Sequence, residues 1–184
     1  MKIAIIGDIH GDIEQLNHVI RDINKRKTDV ILCTGDIVDT EINAQEIIAQ
    51  INKNHILSVQ GNHDEMTAKG SNCDEASRGY LNNLPVSFGF EIFSFHLRIT
   101  HGSLMKNTDY LYEDSLLTQD YLLQAKEKSI LICGHTHIPF VKEFSGAYIM
   151  NPGSVSRPKL PAHKPSYIVL QITQDGLTHE MITI

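Results

Sequence analysis

The stretch KIAIIGDIHGDIEQLNHVIRDI, residues 2–23, decides the fold. Its first part, KIAIIG, is a short Ile-rich run closed by glycine, the pattern of a strand buried on both faces. Beyond the turn the period changes. Ile13, Leu16, Ile20 and Ile23 fall on one face of a helix, Asp12 stands where an N-cap belongs, and Gln15 sits in capping-box position. The same alternation follows in DVILCTG (29–35), in a helical set Ala44, Ile47, Ile48 and Ile51, and in HILSVQG (55–61). Strand, helix, strand, helix, strand predicts parallel strands joined by helical crossovers.

Residues 65–85, EMTAKGSNCDEASRGYLNNLP, show no clear period, leave room for a short helix and read as a surface segment. VSFGFEIFSFHLRITHG (86–102) reads as two strands, and a helix is expected near 115–127 with Leu116, Leu117, Tyr121 and Ala125 as its apolar positions. SILICG (129–134) is another buried strand, and the tail, FVKEF, AYIMN, SYIVLQIT and GLTHEMITI, is strand-rich. The expected class is α/β (α+β), a mixed sheet or two packed sheets with helices outside, in one domain spanning 1–184.

With 184 residues and 41% apolar composition the chain can bury one sizeable core. No apolar run approaches the roughly 18 residues that span a bilayer, and the start leads into a turn rather than a signal-peptide core, so a cytoplasmic protein without membrane contact is expected. A formal charge of −6 and the lack of a Lys/Arg cluster argue against extended nucleic acid as a partner. A homo-oligomer is compatible with the sequence. Cys33 and Cys133 lie in apolar runs and Cys73 has no paired partner, so all three read as free thiols.

Ten histidines are many for this length, and five of them sit in glycine-flanked turns at strand ends: GDIHGD (7–12), GNHD (61–64), THG (100–102) and GHTH (134–137), with GDIVD (35–39) adding carboxylates. Together these turns offer Asp8, His10, Asp36, Asn62, His101, His135 and His137 as oxygen and imidazole donors, with no sulfur. That set suits manganese best, with iron, zinc, nickel, cobalt or magnesium as alternatives. Seven donors exceed one tetrahedral ion and fit two ions sharing a carboxylate. The spacing of Asp8 with His10, and of His135 with His137, would point both donors the same way in extended backbone. His18, His55, His96, His163 and His179 lack this context and read as surface or satisfied core residues.

As an ordered set, the five turns resemble the blocks D-x-H, G-D, G-N-H-[DE], H and G-H-x-H of the calcineurin-like metallophosphoesterase superfamily. NPGSVSRPK (151–159) is similar to its compact bacterial and archaeal phosphodiesterase branch. The resemblance implies two packed mixed sheets flanked by helices, a four-layer sandwich. It implies one metal on Asp8, His10, Asp36 and His137 and a second on Asp36, Asn62, His101 and His135, with Asp36 bridging. The implied activity is hydrolysis of a small-molecule phosphodiester by a hydroxide shared between the metals. His63 would protonate the leaving group, oriented by Asp39 or less directly by Asp64, and Asn62 would donate its amide to the phosphoryl group. Two departures stand out: some compact members carry Cys where this chain has His63, and protein phosphatases place an Arg-Gly pair where this chain has Thr40 and Glu41. Alternatives are a phosphomonoesterase such as a nucleotide phosphatase, a nuclease, and a non-catalytic protein-binding scaffold of the same fold. Arg78, Arg157 and Lys159 are cations that either contact phosphate or sit on solvated surface.

Overall fold

A computed structural model of the protein describes residues 1–39, 44–159 and 164–184. Two five-stranded sheets pack face to face. The first has the order β10-β9-β1-β2-β3, built from β1 (Lys2–Ile6), β2 (Val30–Cys33), β3 (Leu57–Ser58), β9 (Ser166–Ile172) and β10 (Leu177–Thr183). The second has the order β4-β5-β6-β8-β7, built from β4 (Ser87–Ile92), β5 (Phe95–Thr100), β6 (Ser129–Ile132), β7 (Phe140–Phe144) and β8 (Ala147–Asn151). As the alternation predicts, β1 pairs parallel with β2 and β2 with β3. The tail closes back antiparallel, β9 onto β1.

Side chains alternate across each sheet, and where both faces are covered, as in β1, β2 and β6, the strand reads as an unbroken apolar run. Ile3 and Ile5 point inward with Leu32, Ile168 and Leu170 to meet Leu97, Ile99, Ile130, Ile132 and Met150 of the second sheet. Ala4, Ile6, Ile31 and Cys33 point outward to α1 (Ile13–Lys25) and α2 (Ala44–Lys53). Those helices bury Leu16, Val19, Ile20 and Ile23, and Ala44, Ile47, Ile48 and Ile51. Asp12 caps α1 by accepting from the Gln15 N–H at 3.0 Å. On the far side, Leu131, Cys133 and Ile149 are covered by Leu111 and by Leu122 of α5 (Leu116–Gln124). The layers therefore run helix, sheet, sheet, helix. No described helix is long and apolar enough to cross a membrane.

Three local expectations need correction. The third strand spans only Leu57–Ser58. Residues 65–85 lie mostly at the surface, but they hold most of α3 (Asn62–Lys69) and all of α4 (Glu75–Asn82) where the sequence suggests one short helix at most. In α5 the buried positions are Thr118 and Leu122, whereas Leu116 is 76% exposed and Leu117 47%. A two-turn helix buries one narrow stripe, and the stripe through Thr118 wins because its hydroxyl donates to the Tyr112 carbonyl at 2.7 Å.

Candidate metal centre

Five strands, β1, β2, β3, β5 and β6, deliver their following turns to one end of the sandwich, where open α/β sheets gather ligand sites. All seven donor residues arrive there. Asp8, Asp36, His10, His101 and His135 are buried, and Asn62 and His137 are half-buried. Ligand-capable atoms of Asp8, His10, Asp36 and His137 lie within 4.8 Å of one another, as do those of Asp36, His101 and His135. Asp36 belongs to both groups.

The turns are not extended, so the premise of the spacing argument does not hold. Asp8 (φ 52°), His10 (φ 48°), Asp36 (φ 50°), His135 (φ 68°) and His137 (φ 58°) are all left-handed. Each such residue costs on the order of 1–3 kcal/mol and persists only where its surroundings impose it. Glycine makes room for the crowding. A Cβ on Gly61 would meet Asp36 Oδ1 at 2.1 Å, and one on Gly134 would lie 2.4 Å from Thr34 Oγ1 and 3.0 Å from Asp8 Oδ2.

Hydrogen bonding fixes which ring nitrogens face the cluster. His137 Nδ1 lies 2.6 Å from the Arg157 carbonyl oxygen, which only accepts, so the hydrogen is on Nδ1 and Nε2 keeps a lone pair. That lone pair faces His10 Nε2 at 3.1 Å and Asp8 Oδ1 at 3.4 Å. His101 Nδ1 likewise donates to the Thr34 carbonyl at 2.8 Å, and its Nε2 meets Asn62 Oδ1 at 3.0 Å, His135 Nδ1 at 3.1 Å and Asp36 Oδ2 at 3.3 Å. Acceptor atoms crowded at this range are compatible only around a cation or a proton. The donor set, carboxylate, amide oxygen and imidazole, fits divalent first-row metals.

Electrostatics point the same way. Burial pushes the Asp8 carboxyl up to about 8, with the Asp36 charge adding to it. Burial also opposes ionisation of Asp36, but the hydrogen bond from His101 and the His101 and His10 charges outweigh it and hold that carboxyl low. Burial disfavours the charged form of His101, yet its contact with Asp36 overrides this and raises the imidazole to about 9. His10 and His135 are lowered to about 4, chiefly by burial. In the metal-free protein, protons on His101 and Asp8 therefore offset the charge that a cation would offset. Metal uptake must expel them, so proton release is expected below about pH 8, and apparent affinity should rise as pH rises towards 9. Calorimetry in buffers of different ionisation enthalpy checks this; an affinity flat between pH 6 and 9 would contradict it.

His63 follows Asn62 in the first turn of α3, 32% exposed, with Nδ1 3.4 Å from Asp39 Oδ1. Asp39 Oδ2 lies 3.7 Å from His10 Nδ1, so one carboxylate faces both rings. Asp64 does not orient His63. Its carboxylate accepts from the N–H groups of Ile37 (2.9 Å), Val38 (3.0 Å) and Gly61 (2.9 Å), tying α3 to the turn that carries Asp36. Arg78 is likewise spent on structure, donating to the carbonyls of Ala68, Gly70 and Cys73. His163 lies outside the described residues.

The sequence reading missed what locks the turns together. Asn151 Nδ2 donates to the Gly134 carbonyl (2.8 Å) and Thr136 Oγ1 (3.0 Å). Ser154 Oγ donates to the Asp8 carbonyl at 2.7 Å, and Ser156 Oγ to the Ile9 carbonyl at 2.8 Å. The available signal was the pattern of small polar residues after a strand in NPGSVSRPK. Tyr110 was also missed. Its ring lies over His135, centroids 4.1 Å apart. A cleft of about 390 Å³ opens over the cluster, lined by His10, Asn62, His63, Tyr110, Arg157 and Lys159 among others.

Residues 1–175 match the family model described as the calcineurin-like phosphoesterase superfamily domain. The chain is 31% identical to a probable metallophosphoesterase of Methanothermobacter thermautotrophicus, over 99% of this chain and 92% of that protein. It is 23% identical to the phosphodiesterase YfcE of Escherichia coli, over 86% of this chain and 82% of that one. A solved metallophosphoesterase from Sphaerobacter thermophilus superimposes with a TM-score of 0.78 at 23% identity, covering 99% of this chain and 88% of that chain, which is a likeness of fold.

Proposed function

The chain belongs to the calcineurin-like phosphoesterase superfamily, and from that membership we propose that it hydrolyses small-molecule phosphodiesters using two divalent cations, manganese first among them. The observation that carries this reading is the convergence of acceptor atoms in two groups that share Asp36, at the floor of an open cleft. Asp8, His10, Asp36 and His137 would hold one cation, and Asp36, Asn62, His101 and His135 the other. When bound, the cations would lower the pKa of a water and offset negative charge at phosphorus.

The protein's own groups supply the rest. The Thr34 and Arg157 carbonyls fix the tautomers of His101 and His137, so that their lone pairs face the cluster. Asp39 beside His63 Nδ1 favours a hydrogen on that nitrogen, which leaves Nε2 to carry a proton to the leaving-group oxygen. Asn62 sets its carbonyl oxygen towards the cluster and has its amide N–H groups available for a phosphoryl oxygen.

An open cleft gives room for the second ester arm of a diester. With added Mn²⁺, kcat/KM on bis-p-nitrophenyl phosphate is expected to exceed that on p-nitrophenyl phosphate. The reverse order would make the protein a phosphomonoesterase working with the same residues.

A further inference from the structure

A phosphoester in this cleft needs a partner for the phosphoryl oxygens that face away from the metal-binding side chains. Arg157 and Lys159 are the two Lys/Arg residues among the described lining of the cleft, which they share with His10, Asn62 and His63. Arg157 is held unusually firmly for a residue whose side chain is 48% exposed. Its N–H donates to Ser154 Oγ at 2.7 Å, its carbonyl accepts from His137 Nδ1 at 2.6 Å, and its Nη1 donates to Asp39 Oδ2. Through Ser154 and Ser156 the same loop is bonded to the turn that carries Asp8 and His10. The loop that carries the guanidinium is thus bonded to His137 and to the turn of Asp8 and His10, three members of one donor group.

One of its N–H donors is used. A guanidinium has five in a planar fork, and the other four have no hydrogen-bond partner among the described residues. Asp39 also faces the Nδ1 atoms of His10 and His63, so its carboxylate would keep two imidazole neighbours if Arg157 turned towards a ligand. A fixed, half-exposed guanidinium with spare donors at the rim of an acceptor-rich cluster is suited to a tetrahedral oxyanion, which it can bind in bidentate fashion.

We propose that Arg157 grips the phosphoryl oxygens of the substrate, with Lys159 adding positive charge at the outer end of the cleft. This rests on the phosphoesterase reading above, and it assigns the clamp to the loop after β8 rather than to the residues that follow Asp39 in sequence. In a phosphoester complex, the fork would hold the oxygens not engaged at the metal cluster, so that binding of phosphate, and KM for its esters, depend on this side chain.

The test uses the full chain loaded with manganese and inorganic phosphate as the probe, with binding followed by calorimetry. Arg157→Ala is expected to weaken phosphate binding about tenfold to a hundredfold and to raise KM for bis-p-nitrophenyl phosphate in step, with manganese content unchanged. Arg157→Lys should recover only part of this, because a point charge lacks the fork. Arg157→Gln keeps a donor for Asp39 and should bind phosphate as poorly as Arg157→Ala, which covers any loosening of the loop by alanine. Asp39→Asn should retain phosphate affinity while turnover falls. Unchanged phosphate affinity in Arg157→Ala would overturn the clamp, as would an equal loss in Asp39→Asn, since Arg157 would then act only as a prop for Asp39. Arg157-dependent phosphate binding in a protein that hydrolyses no phosphoester would uphold the clamp and overturn the hydrolase reading.

Discussion

Asp36→Asn is expected to remove two-metal binding and to lower turnover by more than about 10²-fold, the scale of losing one preorganised electrostatic stabiliser. Asp36 Oδ2 lies 3.3 Å from His101 Nε2 and 3.7 Å from His10 Nε2, so it faces both groups of donors. Its Oδ1 accepts from the His63 N–H at 2.9 Å, which fixes the carboxylate plane. Asparagine keeps the volume and loses the charge that both cations would share. The same charge holds His101 protonated in the metal-free protein, so the variant should also lower the His101 pKa, visible by proton NMR. Elemental analysis after desalting reads the main effect. Two metals per chain in Asp36→Asn would contradict the bridge.

His63→Ala should slow hydrolysis of an alkyl phosphodiester by about 10²-fold or more, the usual contribution of a positioned general acid. A p-nitrophenyl ester, whose leaving group needs little protonation, should suffer much less. Metal content should stay at the wild-type level, because His63 belongs to neither donor group that contains Asp36. Rate comparison across leaving groups of rising pKa measures this directly. An alkyl diester cleaved by His63→Ala at the wild-type rate would remove His63 from the chemistry.

The parts of the fold written in apolar period were legible in the sequence. In α1 the designated Leu16, Ile20 and Ile23 are buried, with Ile13 half-buried and Val19 added, and α2 buries all four of its designated residues, because burial on one helix face is what the period records. The helices α3 and α4 were not legible. Each has eight residues, and α3 buries Asp64 with Thr67 and Ala68, so the three backbone N–H groups that the Asp64 carboxylate accepts, rather than apolar spacing, hold it in place. For α5 the expectation is met only in part: Tyr121 and Ala125 pack against the core, while a hydrogen-bonding threonine takes a buried position and two leucines stay outside.

The candidate site was legible as a set of residues and not as a geometry. Glycine-flanked Asp, Asn and His at strand ends pointed to seven side chains, which lie together at one end of the sandwich. Their left-handed backbone could not be read from an Asp-Ile-His or His-Thr-His spacing, since only Asn, Asp and His are enriched there and the enrichment is modest. The roles of Asn151, Ser154 and Ser156 depend on contacts with turns some 15 to 148 positions away along the chain, which local patterning does not carry.

Titration of the metal-free full chain with Mn²⁺, followed together by calorimetry and electron paramagnetic resonance, tests the central claim most directly. Two ions sharing the Asp36 carboxylate predict two equivalents per chain and a spin-coupled spectrum at saturation. A single equivalent, or two ions with uncoupled spectra, would contradict it.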